Sequence, residues 1–120
     1  MRGLYLAAVD INSYSTWLEI DLNAIRHNVA YIKDLTGVEV MAVIKANGYG
    51  HGLERVARAL PAADGFATLE LDGAVRLRES GFAREILLLE GFFGPAELPV
   101  LAAARLAATV HCEDQLRMLE

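Results

Sequence analysis

The sequence predicts an α/β fold with a parallel sheet, laid out as the first half of a (β/α)8 TIM barrel. Three observations predict it. Short apolar or alternating runs recur between longer segments whose apolar residues repeat at helical spacing. Each strand–helix repeat takes roughly 20–25 residues, too few to bury its own apolar face without neighbours. Residues 85–89 form an almost wholly apolar run, as in parallel strands covered on both faces. A complete barrel takes about 250 residues. The chain has 120.

Residues 1–15 read as an N-terminal extension and residues 16–120 as the partial barrel domain. The first strand is expected over 17–22, where Leu18, Ile20 and Leu22 alternate with Glu19 and Asp21. Asn23 is a suitable N-cap for the helix that follows. Leu22, Ile25, Val29 and Ile32 then share one helical face, and Gly37 closes the segment. A second strand is expected over 38–45. Leu53, Val56, Ala57 and Leu60 mark the next helix, which Pro61 stops because proline cannot continue a helix interior.

Strands are expected at 65–69 and 85–89, with a helix over 71–79 between them, ended by Gly81. Pro95 suits a helix start, and Pro99 four residues later predicts a late start or a kink. A short strand over 106–110 precedes the final helix. Four barrel strands without four more leave an apolar edge exposed. The isolated chain is therefore expected to be poorly soluble or to self-associate. Its final run, 115–120, is helical in pattern without a stop signal, which suggests a truncated chain.

Bulk properties narrow the function classes. Eleven basic against sixteen acidic side chains give a formal charge of −5 with no clustered basic face, so nucleic acid is not an expected partner. Hydrophobic residues make up 54% of the chain, which suits a buried parallel sheet. No apolar run approaches the ~18 residues of a membrane span. The apolar run 4–9 is too short, and too soon followed by Asp10, for a signal peptide. The single cysteine, Cys112, excludes an internal disulfide framework, fits a cytoplasmic setting, and reads as a small structural residue.

Chemistry concentrates in residues 41–52, MAVIKANGYGHG. An apolar strand places Lys45 at its end, although lysine is among the residues least often buried. A lysine so placed suits covalent reaction with an aldehyde or ketone, for which the neutral amine is the nucleophile. Gly48, Gly50 and Gly52 follow at alternate positions, and their backbone N–H groups are expected to form an anion cradle. A carbonyl compound bearing a phosphate, such as pyridoxal phosphate, satisfies both features. The spacing matches neither the dinucleotide fingerprint nor the P-loop.

With the run WLEIDL at 17–22, AVIKANGYGHG at 42–52 and ILLLEGFF at 86–93, followed by Thr109, Val110, His111, Gln115 and Leu116, the chain resembles alanine racemases, the fold-type III pyridoxal phosphate enzymes. The resemblance covers roughly residues 16–120. It implies pyridoxal 5'-phosphate as cofactor and interconversion of L-alanine and D-alanine, supplying D-alanine for peptidoglycan or serving alanine catabolism. It implies that Lys45 anchors the cofactor and is one of two acid/base groups. Tyr49 matches the tyrosine that hydrogen-bonds the cofactor phosphate, and Leu89 an apolar position lining the cofactor pocket. The second base in the family is a tyrosine of a C-terminal β domain, supplied by the partner subunit of a homodimer. The rival expectations are a non-catalytic pyridoxal phosphate-binding module and an inactive barrel fragment.

Other residues have plainer readings. His51 is expected to position the glycine-rich turn, and His27 to be a surface or packing residue. His111 has no second histidine or carboxylate at metal-ligand spacing, so no metal is expected. Phe92 and Phe93 read as core or interface. Glu90 has no acid/base partner in the sequence.

Overall fold

A computed structural model describes residues 16–120 and, before them, the backbone of Arg2–Leu4. The elements in chain order are β1 (Arg2–Leu4), β2 (Glu19–Asp21), α1 (Leu22–Thr36), β3 (Met41–Val43), the short turn α2 (Lys45–Tyr49) and α3 (Leu53–Ala59). Next come β4 (Gly65–Thr68), α4 (Leu71–Glu79), β5 (Glu85–Leu88), α5 (Leu98–Ala103), β6 (Ala107–Ala108) and α6 (Glu113–Leu119). Strands β3, β4, β5 and β6 form one sheet in that order, with every neighbouring pair parallel. Parallel neighbours need crossover connections, and α3, α4 and α5 supply them. This is the four-strand arc expected of half a barrel. Among the described residues neither β3 nor β6 has a further strand partner.

Sheet alternation sorts the side chains into two faces. Ala42, Ile44, Phe66, Ile86, Leu88 and Ala108 belong to the main core cluster, together with Val56, Ala57 and Leu60 around α3 and Ala74 and Leu77 of α4. Burying each large member contributes about 1.5–3 kcal/mol. Phe66 meets Phe82 edge-on at 5.7 Å between ring centroids. The opposite face carries Met41, Val43, Ala67, Leu87 and Ala107, and Met41 and Val43 at its β3 edge are exposed. That face would point into a closed barrel.

Several expected boundaries move, each for a local reason. The strand expected over 17–22 is confined to Glu19–Asp21 and pairs antiparallel with β1, outside the parallel sheet. Its alternation reflects Ile20, which is buried between exposed Glu19 and Asp21. The N-cap of α1 is Asp21 and not Asn23. Extended Asp21 accepts the N–H groups of Asn23 (2.9 Å) and Ala24 (3.2 Å) on its carboxylate, so the helix already begins at Leu22. Gly37 closes α1 in a left-handed conformation, as expected.

The strand over 38–45 shrinks to Met41–Val43. The Val40 N–H is taken by the Asp64 carboxylate at 2.7 Å, and Ile44 (φ −126°, ψ 26°) has already left extended geometry. Around the two prolines the chain forms a 3-10 turn, Pro95–Glu97, and α5 starts late with Pro99 in its first turn. Cys112 is exposed at the N-cap position of α6, contrary to the expected packed residue, because the residue before a helix start lies outside the helix–sheet contact. Residues 5–15 of the expected extension lie outside the described residues.

Two polar clusters tie the layers together. The Arg78 guanidinium donates to the carbonyls of Ala104 (2.8 Å), Phe82 (2.6 Å), Arg105 (2.8 Å) and Arg84, joining α4 to the segments that lead into β5 and β6. The Lys33 ammonium donates to both Asp64 oxygens at 2.8 Å and to the Ala62 carbonyl at 3.0 Å, docking α1 against the segment before β4. The Lys33 hydrogen bond, and then the Val40 N–H, hold the Asp64 carboxyl below its ordinary value against the effect of desolvation.

A carboxyl depressed in the folded state stabilises the fold fully above its unfolded value, ~3.9, and loses that contribution as pH falls through the folded value. Asp64→Asn is therefore expected to lower the urea midpoint at neutral pH, with the gap to the parent closing below about pH 4. A gap that stays constant down to the acid transition contradicts this account of the ion pair.

Candidate active site

The Ile44 N–H donates to the Ala67 carbonyl at 2.8 Å, which carries the pairing of β3 with β4 one residue past the strand. Lys45 thus leaves the sheet at its C-terminal end, where parallel α/β barrels place their ligands. The register aligns Val43 with Ala67, Ala67 with Leu87, and Leu87 with Ala107. Two residues further along, the same row holds Leu69, Leu89 and Thr109, while Lys45 follows Ile44, where β3 has already left extended geometry. The Leu89 N–H to Thr68 carbonyl (2.9 Å) and Thr109 N–H to Leu88 carbonyl (3.0 Å) bonds extend the ladder to that level.

Lys45, Leu69, Leu89 and Thr109 are all half-buried. At ~4.8 Å per strand, Leu89 belongs to a strand roughly 10 Å across the sheet from the one that delivers Lys45. Leu69 carries no motif, and Thr109 enters the sequence reading only through the family resemblance. The signal that finds them is the strand-end position in each repeat, which needs the register to become visible.

The two lysines of the chain differ sharply. Lys33 spends its ammonium protons on Asp64 and Ala62. The Lys45 side chain has no hydrogen bond or ion pair to any described residue. A half-buried amine without a partner is the more available nucleophile of the two.

The turn after Lys45 has an unusual backbone. Ala46 (φ 52°, ψ 49°), Asn47 (φ 55°, ψ 45°) and Gly48 (φ 64°, ψ 40°) are left-handed, and Tyr49 (φ 54°) and Gly50 (φ 82°) continue at positive φ. A left-handed conformation costs roughly 1–2 kcal/mol for each non-glycine residue, least for asparagine. Glycine at 48 avoids that cost, and a Cβ there would sit 3.1 Å from Val56 Cγ2, so the valine side chain would have to give by a few tenths of an ångström. Strain of this kind persists only where the surroundings enforce it, and it concentrates at functional sites.

The glycine-rich turn does not offer the expected open amides. The N–H groups of Gly48, Gly50, His51 and Gly52 donate to the carbonyls of Ile44 (2.9 Å), Ala46 (2.9 Å), Gly48 (3.1 Å) and Asn47 (2.8 Å). The glycines make a tight left-handed turn, and the turn consumes its own donors. The amides of the three glycines are therefore not free for an anion, and the Tyr49 side chain beside them is 59% exposed. His51 Nδ1 lies 3.0 Å from the Tyr49 carbonyl oxygen, in keeping with a role in positioning the turn.

Tyr49 and His51 border a cavity of about 400 Å³ between α1 and the open edge of β3, lined otherwise mainly by apolar residues such as Ile25, Val29 and Val43. Lys45 lies outside it. That cavity follows the unpaired sheet edge, whereas the lysine stands just past the end of β3.

The remaining candidates are structural. Phe92 is buried while Phe93 is 72% exposed, so the pair divides between core and surface. The Glu90 carbonyl oxygen, not its carboxylate, is the working group there, lying 3.1 Å from both His111 Nε2 and Gln115 Nε2. Gln115 is buried, donates also to the Phe92 carbonyl at 3.0 Å, and accepts the His111 N–H at 2.9 Å. His27 is exposed and stacks on Tyr31. No helix among the described residues is long and apolar enough to cross a membrane.

Comparison with known proteins places this geometry in context. A family model described as the N-terminal domain of alanine racemase matches residues 20–120. The alanine racemase of Nitrosomonas europaea is 52% identical over 101 residues, which is 83% of this chain and 28% of that protein. Among solved structures, the biosynthetic alanine racemase of Pseudomonas aeruginosa aligns with a TM-score of 0.79 and 39% identity, over 83% of this chain and 28% of that one. The alanine racemase of Acinetobacter baumannii aligns with a TM-score of 0.79 and 33% identity, over 83% and 30%. The chain thus spans a little under a third of the length of the relatives it matches.

Proposed function

The chain belongs to the alanine racemase family through its N-terminal domain, and on that footing we propose that it carries the cofactor-anchoring half of an amino-acid racemase site. Lys45 holds pyridoxal 5'-phosphate covalently through its amine, Tyr49 donates its hydroxyl to the phosphate, and Leu89 forms an apolar wall. The observation that carries this reading is the place of Lys45. The residue is half-buried, its side chain has no partner among the described residues, and it stands at the C-terminal end of a parallel sheet, followed by a strained turn.

When bound, the cofactor supplies a conjugated ring that takes up the electron pair left as the substrate's α-proton departs. Lys45 moves that proton at Nζ on one face. Inversion of alanine requires a second group on the other face, and the resemblance assigns it to a tyrosine of the partner subunit in a full-length homodimer. Each acid/base group typically contributes 10²–10⁴-fold, so residues 1–120 alone should hold cofactor far better than they racemise.

The phosphate role of Tyr49 is tested by comparing pyridoxal phosphate with pyridoxal in borohydride trapping at Lys45. A hydrogen bond to a charged group is worth about 1.5–3 kcal/mol. Tyr49→Phe should therefore raise half-saturation by pyridoxal phosphate at least ~10-fold while leaving pyridoxal unchanged. An equal effect on both compounds, or none, removes Tyr49 from the phosphate site.

A further inference from the structure

We infer that Asn47 is a positioning residue of this site, locking the left-handed turn that sets Tyr49 relative to Lys45; the inference rests on the roles proposed for those two residues. Asn47 sits midway between them, two residues from each. Its carbonyl accepts the Gly52 N–H at 2.8 Å, and its side-chain Oδ1 accepts the Leu53 N–H at 2.9 Å. A single residue therefore closes the loop from 47 to 53 through both backbone and side chain.

The far end of that clamp is fixed. Leu53 opens α3, is 5% exposed, and belongs to the main core cluster. The helix has no other side-chain cap, because its N-cap residue is Gly52. Asn47 supplies the cap from six residues upstream and ties the strained turn to the core by the same bond. Apart from His51 Nδ1, 3.0 Å from the Tyr49 carbonyl oxygen, the other hydrogen bonds of the turn join backbone to backbone.

A plainer reading gives Asn47 no role beyond tolerance of positive φ, which asparagine adopts more readily than most residues. The two readings differ over glycine. If tolerance is all that counts, glycine at 47 serves equally well. If the Oδ1 clamp positions Tyr49, glycine keeps the backbone conformation and loses the positioning. Asn47 is itself exposed, so neither replacement disturbs packing.

The test uses the 120-residue chain and two variants, Asn47→Gly and Asn47→Asp. Each is treated with pyridoxal phosphate or pyridoxal, reduced with borohydride, and titrated for the adduct at Lys45. Hydrogen exchange of the Leu53 amide is read in parallel, without cofactor. Asn47→Gly should reduce the preference for pyridoxal phosphate over pyridoxal by about 10-fold, the loss of one such hydrogen bond. It should also accelerate Leu53 exchange. Asn47→Asp keeps the acceptor and should restore both.

An unchanged phosphate preference in Asn47→Gly, beside a normal adduct at Lys45, overturns the positioning role and leaves the proposed function standing. Absence of a Lys45 adduct in the unsubstituted chain overturns both.

Discussion

Gly91→Ala is expected to destabilise the domain by about 3–5 kcal/mol, a large part of the ~5–15 kcal/mol that holds a domain of this size together. Gly91 is buried at φ +75° just after β5. A Cβ there would fall far inside contact with the Thr109 carbonyl oxygen and 2.8 Å from Gln115 Nε2. Neither neighbour can yield. Thr109 is held by its N–H bond to the Leu88 carbonyl, and Gln115 is fixed by bonds to Glu90, Phe92 and His111.

Gly81 provides the control. It has φ +91° with nothing within 4 Å of a built Cβ, so Gly81→Ala should cost only the backbone strain, roughly 1–2 kcal/mol. Urea midpoints of the two variants measure the difference. Equal midpoints would show that the strand-end packing around Gly91 is loose.

Lys45→Ala has the largest chemical effect. The trapped adduct with pyridoxal phosphate should vanish at this position, and Lys33 should not replace it, because its ammonium is committed to Asp64 and Ala62. The Lys45 side chain has no hydrogen bond or ion pair among the described residues, so its removal should change stability by no more than about 0.5 kcal/mol. Loss of adduct with an unchanged urea midpoint separates chemistry from folding. Adduct formation at undiminished yield in Lys45→Ala removes the lysine from the mechanism.

Much of the fold was legible because hydrophobic period and breaker residues are local signals. The helix over 71–79, the stop before Pro61 and the left-handed Gly37 all follow from spacing and backbone chemistry within a few residues. Long-range partners were not legible. The strand pairing of Glu19–Asp21 with Arg2–Leu4, and the hold of Asp64 on Val40, each join residues well apart in the chain and shift element boundaries.

The lysine turn shows the same division. Its place at the end of an apolar run marked Lys45, and the family resemblance marked Tyr49; Lys45 does stand at a strand's C-terminal end. Three glycines at alternate positions suggested free amides, because glycine removes steric cover. Whether an amide is free depends on which carbonyl it meets, and here four of them meet carbonyls inside the turn. The row of Leu69, Leu89 and Thr109 emerges only once two pairs of strands are in register.

The most direct test of the central claim is peptide mapping after borohydride reduction of the unsubstituted chain with pyridoxal phosphate. The chain offers two lysines as near-internal controls for each other. The account predicts modification at Lys45, saturating with cofactor, with Lys33 unmodified. Modification confined to Lys33, or shared equally between the two, would contradict it.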